Sequence, residues 1–179
     1  MGKLFNMNYG GYFNEDAVSN VIRYITRTRK NEDRKNELIG WGSYNTLNMR
    51  TPEFVIKQFL DVQKYYGLKN RKGVRMVHHT FNLKAEEFYL MGNNPGVLYR
   101  FAMKCCSYYD ARGHQVCFAM HESKEKGVHI HFAVNAYNYR TGLKWHIKLN
   151  EIADIDKLFN CFIQDYYIPE LMENMMSPE

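Results

Sequence analysis

Three histidines carry most of the chemistry this chain can offer. His121, His129 and His131 fall within the stretch HESKEKGVHIHFAVN, residues 121–135. One isoleucine separates the last two, and the run around them alternates. Read as a strand from Val128 to Asn135, it places His129, His131, Ala133 and Asn135 on one face. Val128, Ile130, Phe132 and Val134 share the other, which belongs in a core. Two imidazoles side by side on a rigid strand are well suited to a divalent metal.

The preceding residues supply a third. In a strand from His114 to His121, Val116, Phe118 and Met120 face one way, and Gln115, Cys117, Ala119 and His121 the other. The polar turn Glu122–Gly127 is a comfortable hairpin connection, and an antiparallel pair brings His121 beside His129. Three nitrogen ligands leave coordination positions open, the layout of a catalytic rather than a closed structural site. An ion held this way acts as a Lewis acid on a phosphoryl or carbonyl oxygen.

Other elements must position this hairpin. Asn14 can cap a helix with Glu15 and Asp16 in its first turn, and Val18, Val21, Ile22 and Ile25 recur at helical spacing. Residues 31–50, with Gly40, Gly42 and several asparagines, read as a loop excursion. Thr51-Pro52 starts a helix that Gly67 stops. Residues 74–82 form a strand holding His78 and His79, which point to opposite faces and cannot both serve one site. Asn94-Pro95 starts a third helix, and Gly113 separates it from the hairpin. After the turn Tyr139–Gly142 a short third strand is expected over Leu143–Lys148. Asn150 caps a last helix to about Tyr166, and the tail is expected to fray from about residue 168. The order indicates an α+β fold: a central antiparallel sheet with helices packed on one face and the histidine face open.

The composition narrows the class. A chain of 179 residues fits one domain, residues 1–179. Its 45% hydrophobic content and 14 tyrosines argue for a folded core and against disorder. The net charge of +5 is compatible with nucleic acid, and it is uneven. Arg23, Arg27, Arg29, Lys30, Arg34 and Lys35 cluster near the start, Lys69, Arg71, Lys72 and Arg75 in a second group, while the end is acidic. No apolar run is long enough for a membrane span, and no secretory signal opens the chain. Cys105, Cys106, Cys117 and Cys161 include no CxxC pair and read as free thiols of a reducing cytoplasm.

The motif HIHFAVN resembles the metal motif of HUH endonucleases, and more specifically of plasmid mobilisation relaxases of the MobA/MobL and VirD2-like type. Such proteins carry an upstream histidine about eight residues before the His-x-His, here His121, and a downstream asparagine and Thr-Gly turn, here Asn135 and Thr141-Gly142. A His-rich strand ending in Ser-Phe is matched by Val77–Phe81, with Thr80 in place of the serine. The family's acidic residue two positions after the first histidine is Ser123 here, with Glu122 beside it. The resemblance implies a central antiparallel sheet, Mn2+ or Mg2+ on His121, His129 and His131, and Thr80 and Glu122 as supports behind them. It further implies nicking of single-stranded or locally melted origin-of-transfer DNA, in company with other mobilisation proteins.

Strand transfer needs a nucleophile that keeps the cleaved end, and a tyrosine does so as a phosphotyrosine ester. Relaxases of this type carry it near the N-terminus in a Tyr-Ile segment followed by basic residues, which singles out Tyr24 in VIRYITRTRK. Arg23, Arg27, Arg29, Arg71 and Lys72 are the matching phosphate contacts, with Asn135 and His146 flanking the site. Rolling-circle replication initiators place the tyrosine after the metal motif, and that alternative points to Tyr166 or Tyr167. A non-catalytic DNA-binding accessory protein with the same fold is the rival of another class. A metal-dependent hydrolase of small substrates is a third reading.

Overall fold

The computed structural model describes residues 1–6, 11–47, 50–67, 73–146 and 148–176. Five strands form one sheet: β1 (Lys3–Asn6), β2 (Leu38–Tyr44), β3 (Met76–Asn82), β4 (His114–Ser123) and β5 (Gly127–Asn138). Their order is β1-β3-β5-β4-β2, and every pairing is antiparallel. Six helices accompany them among the described residues: α1 (Ala17–Ile25), α2 (Pro52–Gly67), α3 (Ala85–Leu90), α4 (Pro95–Ala111), α5 (Leu149–Gln164) and α6 (Pro169–Met176). The fold is α+β with a central antiparallel sheet, the class that the resemblance implies.

Side-chain parity decides what lies on each face. Val116, Phe118, Met120, Ile130, Phe132 and Val134 enter a core with Leu98, Phe101 and Tyr109 of α4 and Phe159 of α5. Each large apolar side chain fully buried there contributes about 1.5–3 kcal/mol. Asn94 caps α4 by accepting hydrogen bonds from the backbone N–H groups of Gly96 and Val97. Gly113 turns the chain into β4 at φ 79°, where a Cβ would also strike Asn138.

The second face is not open, contrary to the sequence expectation. Here the strands present small side chains, Cys117, Ala119 and Ala133, and α1 and α2 settle onto them with Val18, Val21, Ile22, Ile25, Val55 and Phe59. Helices therefore pack on both faces of the sheet. The small residues create the room, and that signal is invisible to a hydrophobic-periodicity reading.

Three further expectations change. Leu38–Tyr44 pairs with β4 as an edge strand instead of forming a loop; two glycines and no strict alternation hid it. Among the described residues of the segment 143–148 there is a single bridge, Tyr137 with Lys144, rather than a third meander strand. Pro169–Met176 is helical where a frayed tail was expected, proline occupying the first helical position.

Candidate metal centre

Two of the three interior strands, β4 and β5, carry the triad. Register pairs His121 directly with His129, and Ala119 with His131. The ring centroids lie 4.8 Å (His121–His131), 5.1 Å (His129–His131) and 5.3 Å (His121–His129) apart. One nitrogen from each ring falls within 4.8 Å of the others, so the three can hold a divalent ion. All three are buried.

Each ring is anchored through one nitrogen. His121 donates from Nε2 to the Ile25 carbonyl at 2.6 Å. His129 Nδ1 lies 3.1 Å from the Gly127 carbonyl. His131 Nδ1 lies 3.0 Å from Thr80 Oγ1 and 2.9 Å from His78 Nε2. The opposite nitrogens of His129 and His131 remain to bind metal; His121 Nδ1, which Arg27 Nη2 approaches at 3.3 Å, would exchange that contact for the ion, and the three-imidazole donor set fits a divalent metal. Burial pushes the pKa of His121 down to about 4 and lowers those of His129 and His131. The rings are neutral near pH 7, as metal ligands must be.

Helix α1 delivers its C-terminal end to this spot. Its last carbonyls are satisfied in turn: Ile22 by Thr26, Arg23 by Thr28, Tyr24 by Arg27, and Ile25 by His121. Tyr24, on the final turn, packs edge-on against His131 at 5.8 Å and His78 at 6.2 Å. Three guanidinium groups surround its ring, Arg29 at 4.8 Å, Arg27 at 5.2 Å and Arg34 at 5.9 Å.

Arg27 follows the helix in the left-handed region, at φ 54°, which costs an L-residue about 1–2 kcal/mol. That reversal sends its side chain back beneath the helix end, where only 2% of it is exposed. Nη2 donates to Glu37 Oε2 at 2.7 Å and approaches His121 Nδ1 at 3.3 Å. Among the described residues Nε and Nη1 have no partner. A cleft of about 360 Å³ opens over the triad, lined by Tyr24, Arg27, Arg34, Glu37, Lys124, Lys126, His129 and His131, with Glu122 and Ser123 at its edge.

Several residues singled out in the sequence lie elsewhere. Arg23 faces Glu53 at 3.8 Å, on the outer side of α1. Asn135 is fully buried, and its amide is engaged by Gln63, Gln115, the Phe59 carbonyl and the Tyr137 N–H. Four residues along a strand also put it about 13 Å from His131. His146 lines a different cleft, with Trp145, Glu151 and Asp154. Glu122 lines the cleft from an exposed position but bonds to none of the histidines. The carboxylate tied to the triad is Glu37, through Arg27; it lies in the segment read as a loop, and no sequence signal pointed to it. Tyr166 packs against Phe101 on the far face, and Tyr167 packs against that same core, so neither reaches the triad. Arg71 and Lys72 lie outside the described residues. His78 was missed, although sharing strand parity with Thr80 puts it on the ligand face.

No helix among the described residues is long and apolar enough to cross a membrane. A search of curated proteins found no match. The family model described as "Relaxase: MobA/VirD2-like, nuclease domain" matches residues 24–168, which is most of the chain. The chain belongs to the MobA/VirD2-like relaxase nuclease family of the HUH superfamily.

Proposed function

We propose that this chain is a site- and strand-specific relaxase, a single domain that nicks single-stranded or locally melted origin-of-transfer DNA through Tyr24. One observation carries the reading. Tyr24 sits against His131 in a cleft lined also by His129 and buried Arg27. A nucleophile, a metal-binding set and a cationic phosphate receptor thus occupy one site.

When bound by His121, His129 and His131, a divalent ion supplies Lewis-acid polarisation of a phosphoryl oxygen. The chain's own residues do the rest. Arg27 and Arg29 hold the phosphate and offset charge that builds on it in the transition state. Tyr24 Oη attacks phosphorus, forming a P–O bond to the tyrosine as the bond to the 3′ oxygen breaks. The proton lost by the phenol is balanced by the one gained at the leaving 3′ oxygen. The products are a 5′-phosphotyrosine and a free 3′-OH. Because the ester conserves the bond, attack by a 3′-OH reverses the reaction and rejoins the strand.

A labelled oligonucleotide spanning an origin of transfer tests this. The expected result is a metal-dependent nick with a covalent protein–DNA adduct, absent in Tyr24→Phe although that variant still binds metal. An adduct that survives in Tyr24→Phe overturns the assignment of the nucleophile.

A further inference from the structure

Behind the metal ligands stands a fourth histidine. His78 is 1% exposed, and its Nε2 lies 2.9 Å from His131 Nδ1. Its own Nδ1 lies 3.5 Å from Tyr12 Oη, so the three side chains form a line running away from the triad. We infer that His78 is a positioning residue, whose imidazole accepts the Nδ1–H of His131 and thereby fixes the tautomer in which His131 Nε2 can coordinate metal. This rests on the triad being the metal site.

The argument is one of proton bookkeeping. A neutral imidazole carries one N–H and one lone pair. If His131 Nε2 is to give its lone pair to an ion, Nδ1 must hold the hydrogen and needs an acceptor. Two acceptor atoms lie within reach, His78 Nε2 and Thr80 Oγ1. His78 then keeps its own hydrogen on Nδ1, facing Tyr12.

Metal-bound histidines commonly give this N–H to a carboxylate or carbonyl, and losing such a partner costs 10–100-fold in metal affinity. Here Thr80 and His78 occupy the ligand face of β3, which pairs with β5 so that Thr80 lies opposite His131. No carboxylate bonds to His131 among the described residues; the one near the triad reaches it through Arg27.

Titration calorimetry with Mn2+ alone, without DNA, tests the inference on the full chain. His78→Leu removes the acceptor, and its Kd is expected to rise about 10–100-fold. His78→Gln, whose amide oxygen can accept from His131, is expected to stay within a few-fold of wild type. Thermal unfolding in chelator reports whether each variant is folded. Should His78→Leu fail to fold, His78→Asn takes its place, since its shorter amide falls short of His131 Nδ1. Unchanged Mn2+ affinity in a folded Leu or Asn variant overturns the inference and leaves the relaxase reading intact. A wild-type chain that binds no Mn2+ overturns the metal reading itself.

Discussion

His121 Nε2 donates to the carbonyl oxygen of Ile25 at 2.6 Å, tying the end of α1 to the strand that carries the first metal ligand. Losing His121 therefore strands a buried carbonyl as well as removing a ligand. His129 differs, because its partner Gly127 sits at the exposed start of β5. His121→Ala should cost about 1–3 kcal/mol of stability in metal-free buffer, whereas His129→Ala should cost less. Both should lose metal binding. Urea unfolding in chelator measures the first effect and calorimetry the second; equal destabilisation by the two variants would contradict the tie.

Arg27 and Arg29 both flank Tyr24, but in different surroundings. Arg29 is exposed and donates to the Asn20 carbonyl. Arg27 is buried, with Nε and Nη1 unpaired among the described residues. In a site shielded from water a charged donor is worth more, and removing one costs about 10²–10³-fold in rate. Arg27→Gln is expected to slow single-turnover nicking by about 10²-fold. Arg29→Gln should cost less than about tenfold, with an effect that fades as salt rises. A larger loss from Arg29→Gln would reverse these roles.

The ligand hairpin was legible in the sequence because alternation with period two leaves little freedom: the odd-numbered histidines had to share a face. Tyr24 came from the resemblance, and the structure supplies the physical reason it sits where it does, the small residues Ala119 and Ala133 under α1. Arg27 was one arginine among many in sequence. Its left-handed backbone and buried head distinguish it, and neither leaves a mark on composition. Glu37 arrives by tertiary packing from a segment without periodicity. Asn135 and His146 lie away from the triad for one reason: sequence proximity to the motif is not proximity in space.

Asn135 offers a direct check on that correction. Its amide has four partners within the core, so Asn135→Ala leaves several buried polar groups unmatched. A loss of about 2–4 kcal/mol is expected. Nicking per folded molecule should change less than threefold, about 0.65 kcal/mol. Chemical denaturation and active-site titration separate the two, and a stable but inactive variant would return Asn135 to the site.

Acid should destabilise the fold through its buried histidines. His79 lies fully buried on the far face beside Tyr109 Oη at 2.8 Å, and burial lowers its pKa from 6.5 to about 3. Between those values the unfolded chain binds a proton that the native chain refuses. The contribution is thus complete above about pH 6.5 and is lost as pH falls, at roughly 1–2 kcal/mol per unit. His79→Gln, which can still bond to Tyr109, removes one such proton. Urea midpoints from pH 7 to 5, in chelator, should fall more gently for this variant. Parallel curves would mean that His79 does not supply the slope.

The ligand set also makes predictions about the ion. Three neutral imidazoles leave an ion's charge uncompensated, and Arg27 adds another positive group beside them. Nitrogen ligands suit Mn2+ better than Mg2+, which prefers oxygen and gives up its water reluctantly. Mn2+ is therefore expected to support nicking at concentrations at least about tenfold lower than Mg2+, a difference of roughly 1.4 kcal/mol. The same excess of positive charge should couple ion and substrate, since a DNA phosphate supplies the missing negative charge. By reciprocity, an oligonucleotide that tightens Mn2+ binding must itself bind more tightly when Mn2+ is present. Calorimetry of the Tyr24→Phe variant, with and without oligonucleotide, measures this without turnover. Identical Mn2+ affinities in the two titrations would show that ion and phosphate do not share one site.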